Sequence, residues 1–219
     1  MRPPAIVPHS VQRATVWEVR DFERCLVPGV CGNKARKFAG LNDETARVPL
    51  VSHGGAQSNA MLALAALAAH RRVAFTYHTK PMPRWLRAKP IGNLAAALSL
   101  GMELREHATA GSYEAAARAL AEEAHGARFV PQGGACAAAE PGVASLARDI
   151  RVWHAGRGGA EPCHVILPAG TGTTALFLAR HVPPGVRVFA VPCVGDEAYL
   201  RRQMQQLERA SGGDGRASS

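Results

Sequence analysis

Short apolar runs alternate with longer stretches of helical periodicity along most of the chain. Val48 to Ser52 has the length and character of a strand, and Asn59 to Ala69, with Leu62, Leu64 and Leu67 set among alanines, predicts a buried helix. Val73 to Tyr77 reads as a second strand. Pro90 suits the first turn of a helix that runs to Leu100, where Gly101 stops it. Met102 to Arg105 is a third strand. Ser112 to Ala124 is a helix with Ser112 at its N-cap, and Arg128 to Pro131 is a fourth strand. Gln132-Gly133-Gly134 breaks the pattern. Beyond it come a helix over Pro141 to His154, a strand over Val165 to Pro168, a glycine turn with a helix, a strand over Val186 to Pro192, and a helix from Gly195 to Arg209. Alternation of this kind argues for βαβ units around parallel sheets. The predicted organisation is a smaller inserted α/β domain over 48–131, a larger domain from 1–47 and 132–210, and a flexible tail over 211–219.

Composition adds exclusions. The chain has 219 residues, 47% of them hydrophobic and 20% charged, which suits one large domain or two small ones. The longest apolar run, Ala60 to Ala69, falls well short of the ~20 residues that a membrane helix needs. Met1 to Ser10 carries one Arg and three Pro but no apolar signal core, so no membrane association is predicted and a cytoplasmic address is the default. The net charge of +9 is mostly arginine and is scattered, in Arg71-Arg72, Arg84 to Lys89 and Arg201-Arg202. No stripe of basic and aromatic residues follows from it, and nucleic acid is not predicted as the main partner. A basic protein that binds polyanions remains an alternative. The five cysteines (Cys25, Cys31, Cys136, Cys163 and Cys193) are odd in number and contain no CxxC pair, so five free thiols are predicted, with neither a metal site nor a disulfide framework.

Three segments carry candidate chemistry. In Gly32-Asn33-Lys34-Ala35-Arg36-Lys37-Phe38 a glycine turn delivers Lys34 to the start of a predicted helix. The helix dipole and desolvation there lower an amine's pKa, and a neutral amine forms a Schiff base with an aldehyde. Alone, the segment also reads as a basic, solvated first turn. The second segment, His53-Gly54-Gly55-Ala56-Gln57-Ser58-Asn59, joins a strand to a helix. Ser58 or Asn59 serves there as an N-cap, or the loop sits at the carboxyl end of a parallel strand, where open α/β sheets bind ligands. In the third, Ala169-Gly170-Thr171-Gly172-Thr173-Thr174, glycines and hydroxyls precede a helix, which suits a phosphate or another anion. No Lys follows its last glycine, so it is not a Walker A loop.

Together the three motifs resemble the pyridoxal-phosphate enzymes of the D-cysteine desulfhydrase and 1-aminocyclopropane-1-carboxylate deaminase family: GNKxRK, then GGxQSN, then GTGTT. The likeness continues in Pro131 to Gly134 and in Val191 to Leu200, and it spans Val16 to Glu208. It implies a tryptophan synthase β-like fold (PLP fold type II) of two open, largely parallel three-layer α/β/α domains, the larger one incomplete. It implies that Lys34 is the lysine joined to the cofactor and is also catalytic. Asn59 meets the cofactor's 3′-oxygen, and Gly170, Thr171, Gly172, Thr173 and Thr174 hold its phosphate. Ser58 stands near the substrate in a catalytic and binding role, with Gln57 beside it. The implied activity is that of a lyase or deaminase on a small amino acid, with β-elimination of a D-cysteine-like substrate to a keto acid and ammonia as the expected reaction, in a homodimer. Family members continue well past the point matching Arg209, which keeps a non-catalytic, cofactor-binding relic or fragment as an alternative and predicts an uncovered sheet edge and apolar surface.

Overall fold

The structure, a computed structural model, describes residues 3–108, 112–123, 126–159 and 161–212. The elements run in chain order β1 (Ile6–Val11), β2 (Ala14–Val19), β3 (Cys25–Val27), β4 (Val30–Cys31), α1 (Asn33–Lys37), α2 (Ala39–Asp43), β5 (Leu50–Gly54) and α3 (Asn59–Arg71). Then follow β6 (Phe75–Thr79), α4 (Arg84–Ala88), α5 (Gly92–Ser99), β7 (Glu103–Glu106), α6 (Tyr113–Glu123) and β8 (Arg128–Val130). The chain closes with α7 (Glu140–Ala155), β9 (Cys163–Ala169), α8 (Thr173–His181), β10 (Val186–Pro192) and α9 (Glu197–Ala210). Contacts divide it into two compact units. One comprises Met1–Leu26, Cys31–Gly40 and the chain from Cys136 onward; the other comprises Val27–Val30 and Leu41–Ala135. No described helix is long and apolar enough to cross a membrane, and no cluster of three or more His, Cys, Asp or Glu among the described residues is placed to hold a metal ion.

The second unit is built on a four-stranded, all-parallel sheet in the order β7-β6-β5-β8. The chain steps outward from β5 to β6 to β7 and then returns to the far side of β5. Right-handed crossovers put α3 and α5 on one face and send α6 to the other when the direction reverses. Val51 and its register partner Phe129 pack with Ala117, Leu120 and Ala121 on the α6 side. Leu50, Phe75 and Tyr77 alternate to the opposite face and are buried. Helix α3 is buried nearly all round, and its alanines (Ala60, Ala63, Ala65, Ala66 and Ala68) allow that close approach. The reversal leaves the carboxyl ends of β5 and β8 side by side, which is where open α/β sheets bind ligands. Gly54 ends β5 there at φ +143°; a Cβ on it would lie 2.6 Å from the Tyr77 hydroxyl and 3.3 Å from Cγ of Gln132.

In the first unit β9 and β10 form a parallel pair. One face, with Val165, Leu167 and Val188, packs on Val143, Leu146, Ala147 and Ile150 of α7, Leu176, Phe177 and Leu178 of α8, and Leu207 of α9. Each large side chain buried in this way contributes roughly 1.5–3 kcal/mol. On the other face Ile166, Phe189 and Val191 are exposed. An antiparallel hairpin, β1 with β2, belongs to the same unit.

Several sequence expectations need correction. Cys25 and Cys31 are joined in a disulfide, so three thiols remain, not five. The short β3–β4 ladder, absent from the sequence reading, brings the two Cα atoms to 4.0 Å. Strands β5 and β6 start two residues later than predicted. At β6 the cause is α3, which runs on to Arg71; Arg72 adopts a left-handed conformation and Val73 donates back to the carbonyl of Ala68. The β1–β2 hairpin was not anticipated either. The predicted end of α6 at Ala124 and the tail over 213–219 lie outside the described residues.

One feature of the second unit makes its stability depend on pH. His78 on β6 is 2% exposed; its Nδ1 shares a 2.8 Å hydrogen bond with Nε2 of His107, and its Nε2 is buried with no hydrogen-bond partner. Burial first, then the charges of His107 and Arg105, lower its pKa to about 4; His53 acts in the same direction and Glu103 opposes. The unfolded chain therefore binds a proton between pH 6.5 and 4 that the folded chain refuses, and stability falls as the pH falls through that window. Chemical denaturation should show a loss of about 3 kcal/mol between pH 7 and pH 4, and the loss should shrink in His78→Leu. An unchanged slope in that variant would locate the acid sensitivity elsewhere.

Candidate active site

Lys34 sits on α1, a helix of five residues with no side-chain cap, entered through Gly32 at φ +62°. So short a helix does not hold itself together in water; its neighbours hold it. Ala35, Arg36, Lys37 and Phe38 are all buried. Arg36 donates to both carboxylate oxygens of Asp21 at 2.6–2.9 Å, to Asp149 at 2.8 Å and to the Ser145 hydroxyl at 2.6 Å. Ser145 in turn donates to the carbonyl of Gly142. Gly142 lets α7 lie directly against α1, since a Cβ there would fall 1.9 Å from the Arg36 carbonyl oxygen.

This anchoring leaves two desolvated amines on one turn. Burial lowers the pKa of Lys34, which is half-buried. Lys37 is driven well below the usual lysine value, by burial first and then by the charge of Lys34, with Cys136 opposing. Desolvation is one of the two causes expected at Lys34.

The loop Gly170–Thr174 belongs to the same unit, and α8, which follows it, packs on α7 as α1 does. Gly172 at φ +71° cannot carry a side chain without meeting Cγ of Met204 at 2.3 Å. The hydroxyls of Thr171 and Thr173 are hydrogen-bonded at 2.8 Å, and Thr173 and Thr174 are buried. Helix α8 has no side-chain cap, so its first backbone N–H groups are left to other acceptors. An uncapped helix start with glycines and three hydroxyls is a donor set that fits a phosphate, and a desolvated amine fits an aldehyde. The residues present therefore fit pyridoxal phosphate.

Gln57, Ser58 and Asn59 belong to the second unit, at the carboxyl end of β5. Ser58 is the N-cap of α3, its hydroxyl oxygen accepting from the N–H groups of Ala60 and Met61 at 3.2 and 3.3 Å. In the same loop the Gly55 carbonyl accepts from the Tyr77 hydroxyl at 3.2 Å, and burial pushes the pKa of that hydroxyl up. The capping role makes Ser58→Ala cost about 1 kcal/mol in a urea unfolding curve; no loss would mean the oxygen is not needed as a cap. The Gln57 amide is turned to the start of α5. Its Nε2 donates to the carbonyl of Ile91 and its Oε1 accepts from the Asn93 backbone N–H, both at 3.0 Å. Asn93, which the sequence reading did not single out, donates through Nδ2 to the Gln57 carbonyl at 3.0 Å and to Oδ1 of Asn59 at 2.8 Å. No local sequence pattern marks it, since its partners lie 34 and 36 residues earlier.

No protein-family model and no curated protein sequence matches the chain. Solved structures do. An ACC deaminase homologue superposes with a TM-score of 0.65 at 20% identity, over 94% of this chain and 65% of that one. A fungal L-serine ammonia-lyase from Rhizomucor miehei gives 0.63 at 14% identity, over 91% and 62%. A pyridoxal 5′-phosphate-dependent aspartate racemase gives 0.51 at 14% identity, over 71% and 46%. The chain spans less than two thirds of the length of each of these proteins. Its fold is α/β and tryptophan synthase β-like, PLP fold type II.

Proposed function

We propose that the chain acts as a pyridoxal-phosphate-dependent lyase or deaminase on a small amino acid, as a cytoplasmic homodimer, and that its reaction is β-elimination from a D-cysteine-like substrate. The observation that carries this reading is a desolvated Lys34 amine in the same unit as an uncapped glycine–threonine helix start. Ammonia-lyase, deaminase-homologue and racemase structures with the same fold support the reaction class. Lys34 would hold the cofactor's aldehyde carbon, Gly170 to Thr174 its phosphate and Asn59 its 3′-oxygen. When bound, pyridoxal phosphate supplies an electron sink for negative charge at the substrate Cα.

The remaining work falls to the chain's own groups. The Lys34 amine, whose pKa burial lowers, would carry the proton at Cα. Backbone N–H groups and threonine hydroxyls neutralise phosphate charge at the start of α8. The loop Gln57–Asn59 would offer its backbone to the substrate carboxylate, with Ser58 keeping the loop seated on α3.

The test is to load the chain with pyridoxal phosphate, remove the excess, and supply D-cysteine, L-cysteine and 1-aminocyclopropane-1-carboxylate separately. Release of pyruvate, sulfide and ammonia from D-cysteine is the expected result. Cofactor retained without product from any of the three would replace the enzyme reading with that of a cofactor-binding relic.

A further inference from the structure

We infer that Asn93 is a positioning residue that fixes which way the Asn59 side-chain amide faces. The inference rests on the proposed pyridoxal-phosphate site, because it assigns the chemistry that Asn59 presents there.

The backbone carbonyl of Gln57 only accepts hydrogen bonds, so the Asn93 side-chain atom 3.0 Å from it is the NH₂ group. The second hydrogen of that NH₂ is directed to Asn59 at 2.8 Å, and the atom receiving it must be an acceptor. Asn59 therefore turns its Oδ1 toward Asn93 and its NH₂ away. That NH₂ has no hydrogen-bond partner among the described residues, and Asn59 is exposed. A rotatable amide that presents either a donor or an acceptor has become a donor only.

The start of α5 is built to maintain this. The Asn93 backbone N–H donates to Gln57 Oε1, and Gln57 Nε2 donates to the Ile91 carbonyl, so backbone groups lock the Gln57 amide as well. Gly92 sits at φ +59°, which strains any other residue, and a Cβ there would lie 2.8 Å from Gln57 Oε1 and push that amide aside. Such a donor suits an anionic or phenolic oxygen and rejects a second donor.

The experiment compares wild type, Asn93→Asp and Asn59→Ala, with pyridoxal phosphate and its 3-deoxy analogue as probes. A carboxylate at position 93 cannot donate to Oδ1, so the Asn59 amide turns over and presents its oxygen. Asn93→Asp should bind pyridoxal phosphate about tenfold more weakly, and the 3-deoxy analogue with little change. Adding Asn93→Asp to Asn59→Ala should cause no further loss. Equal weakening for both probes would show a purely structural role and overturn the inference. A ligand-free arm separates this failure from that of the functional reading. In the ¹⁵N-labelled chain the Asn59 side-chain amide resonances should move on Asn93→Asp; resonances that stay in place overturn the inference. If wild type binds neither probe, the functional reading falls, while the amide resonances still decide the orientation.

Discussion

Lys34→Ala should abolish covalent retention of pyridoxal phosphate, whereas Lys37→Ala should keep it. The readout is the visible absorbance band left after incubation and dialysis, backed by borohydride reduction and mass analysis of the labelled peptide. The full amplitude should disappear in the first variant. Both lysines lie on α1, and burial lowers both amines, Lys37 the more strongly. Amine basicity alone would thus favour Lys37. Access decides for Lys34: its side chain is half-buried, whereas Lys37 is only 6% exposed. Burial, not the charge of Lys37, lowers the Lys34 pKa, so the label on Lys34 should survive removal of Lys37. A band that persists in Lys34→Ala and vanishes in Lys37→Ala would transfer the role to Lys37.

Arg36→Ala lowers the unfolding free energy by about 3–5 kcal/mol, measured by urea denaturation at pH 7. Arg36 is 4% exposed and lies between Asp21 and Asp149. Burial alone would lower its pKa; hydrogen bonds and charge from Asp21 and then Asp149 outweigh that and raise it. Truncation leaves the Asp21 carboxylate without its guanidinium, while Asp149 keeps Arg24 at 3.1 Å. Arg36→Lys restores a charge but not the planar fork that reaches both carboxylates and Ser145, so it should recover only part of the loss. A change below 1 kcal/mol would mean that α1 is held mainly by the burial of Ala35 and Phe38. Where the fold survives, Arg36→Ala should also slow cofactor capture, because the turn carrying Lys34 has lost its tether.

How much of this could be read from the chain follows the range of the interactions. Elements whose signal is local were legible: the alanine and leucine pattern of α3, the Ser58 cap, the glycine loops between strand and helix, and Lys34 at the start of a helix. The fold class was legible from the combined motifs, and the solved structures bear it out. The β1–β2 hairpin was hidden because most of its residues are exposed and no apolar alternation marks them. The disulfide was hidden because a spacing of six residues carries no signature until the chain folds back on itself. Arg36 looked like part of a basic run, since its partner Asp149 lies 113 positions later. Asn93 looked like an ordinary first-turn residue for the same reason.

That separation also sets the order of events when the chain is made. Residues 41–135 hold nearly all of the second unit, so its sheet has all its strands as soon as β8 leaves the ribosome. Helix α1 is synthesised before them with Asp21 already made, but its remaining anchors come only when Gly142, Ser145 and Asp149 emerge on α7. The contacts that seat Lys34 are among the least local in the chain, and closing so long a loop is slow. Lys34 is therefore synthesised more than a hundred residues before the groups on α7 that complete its anchoring, and until they emerge the nascent chain carries it without that support.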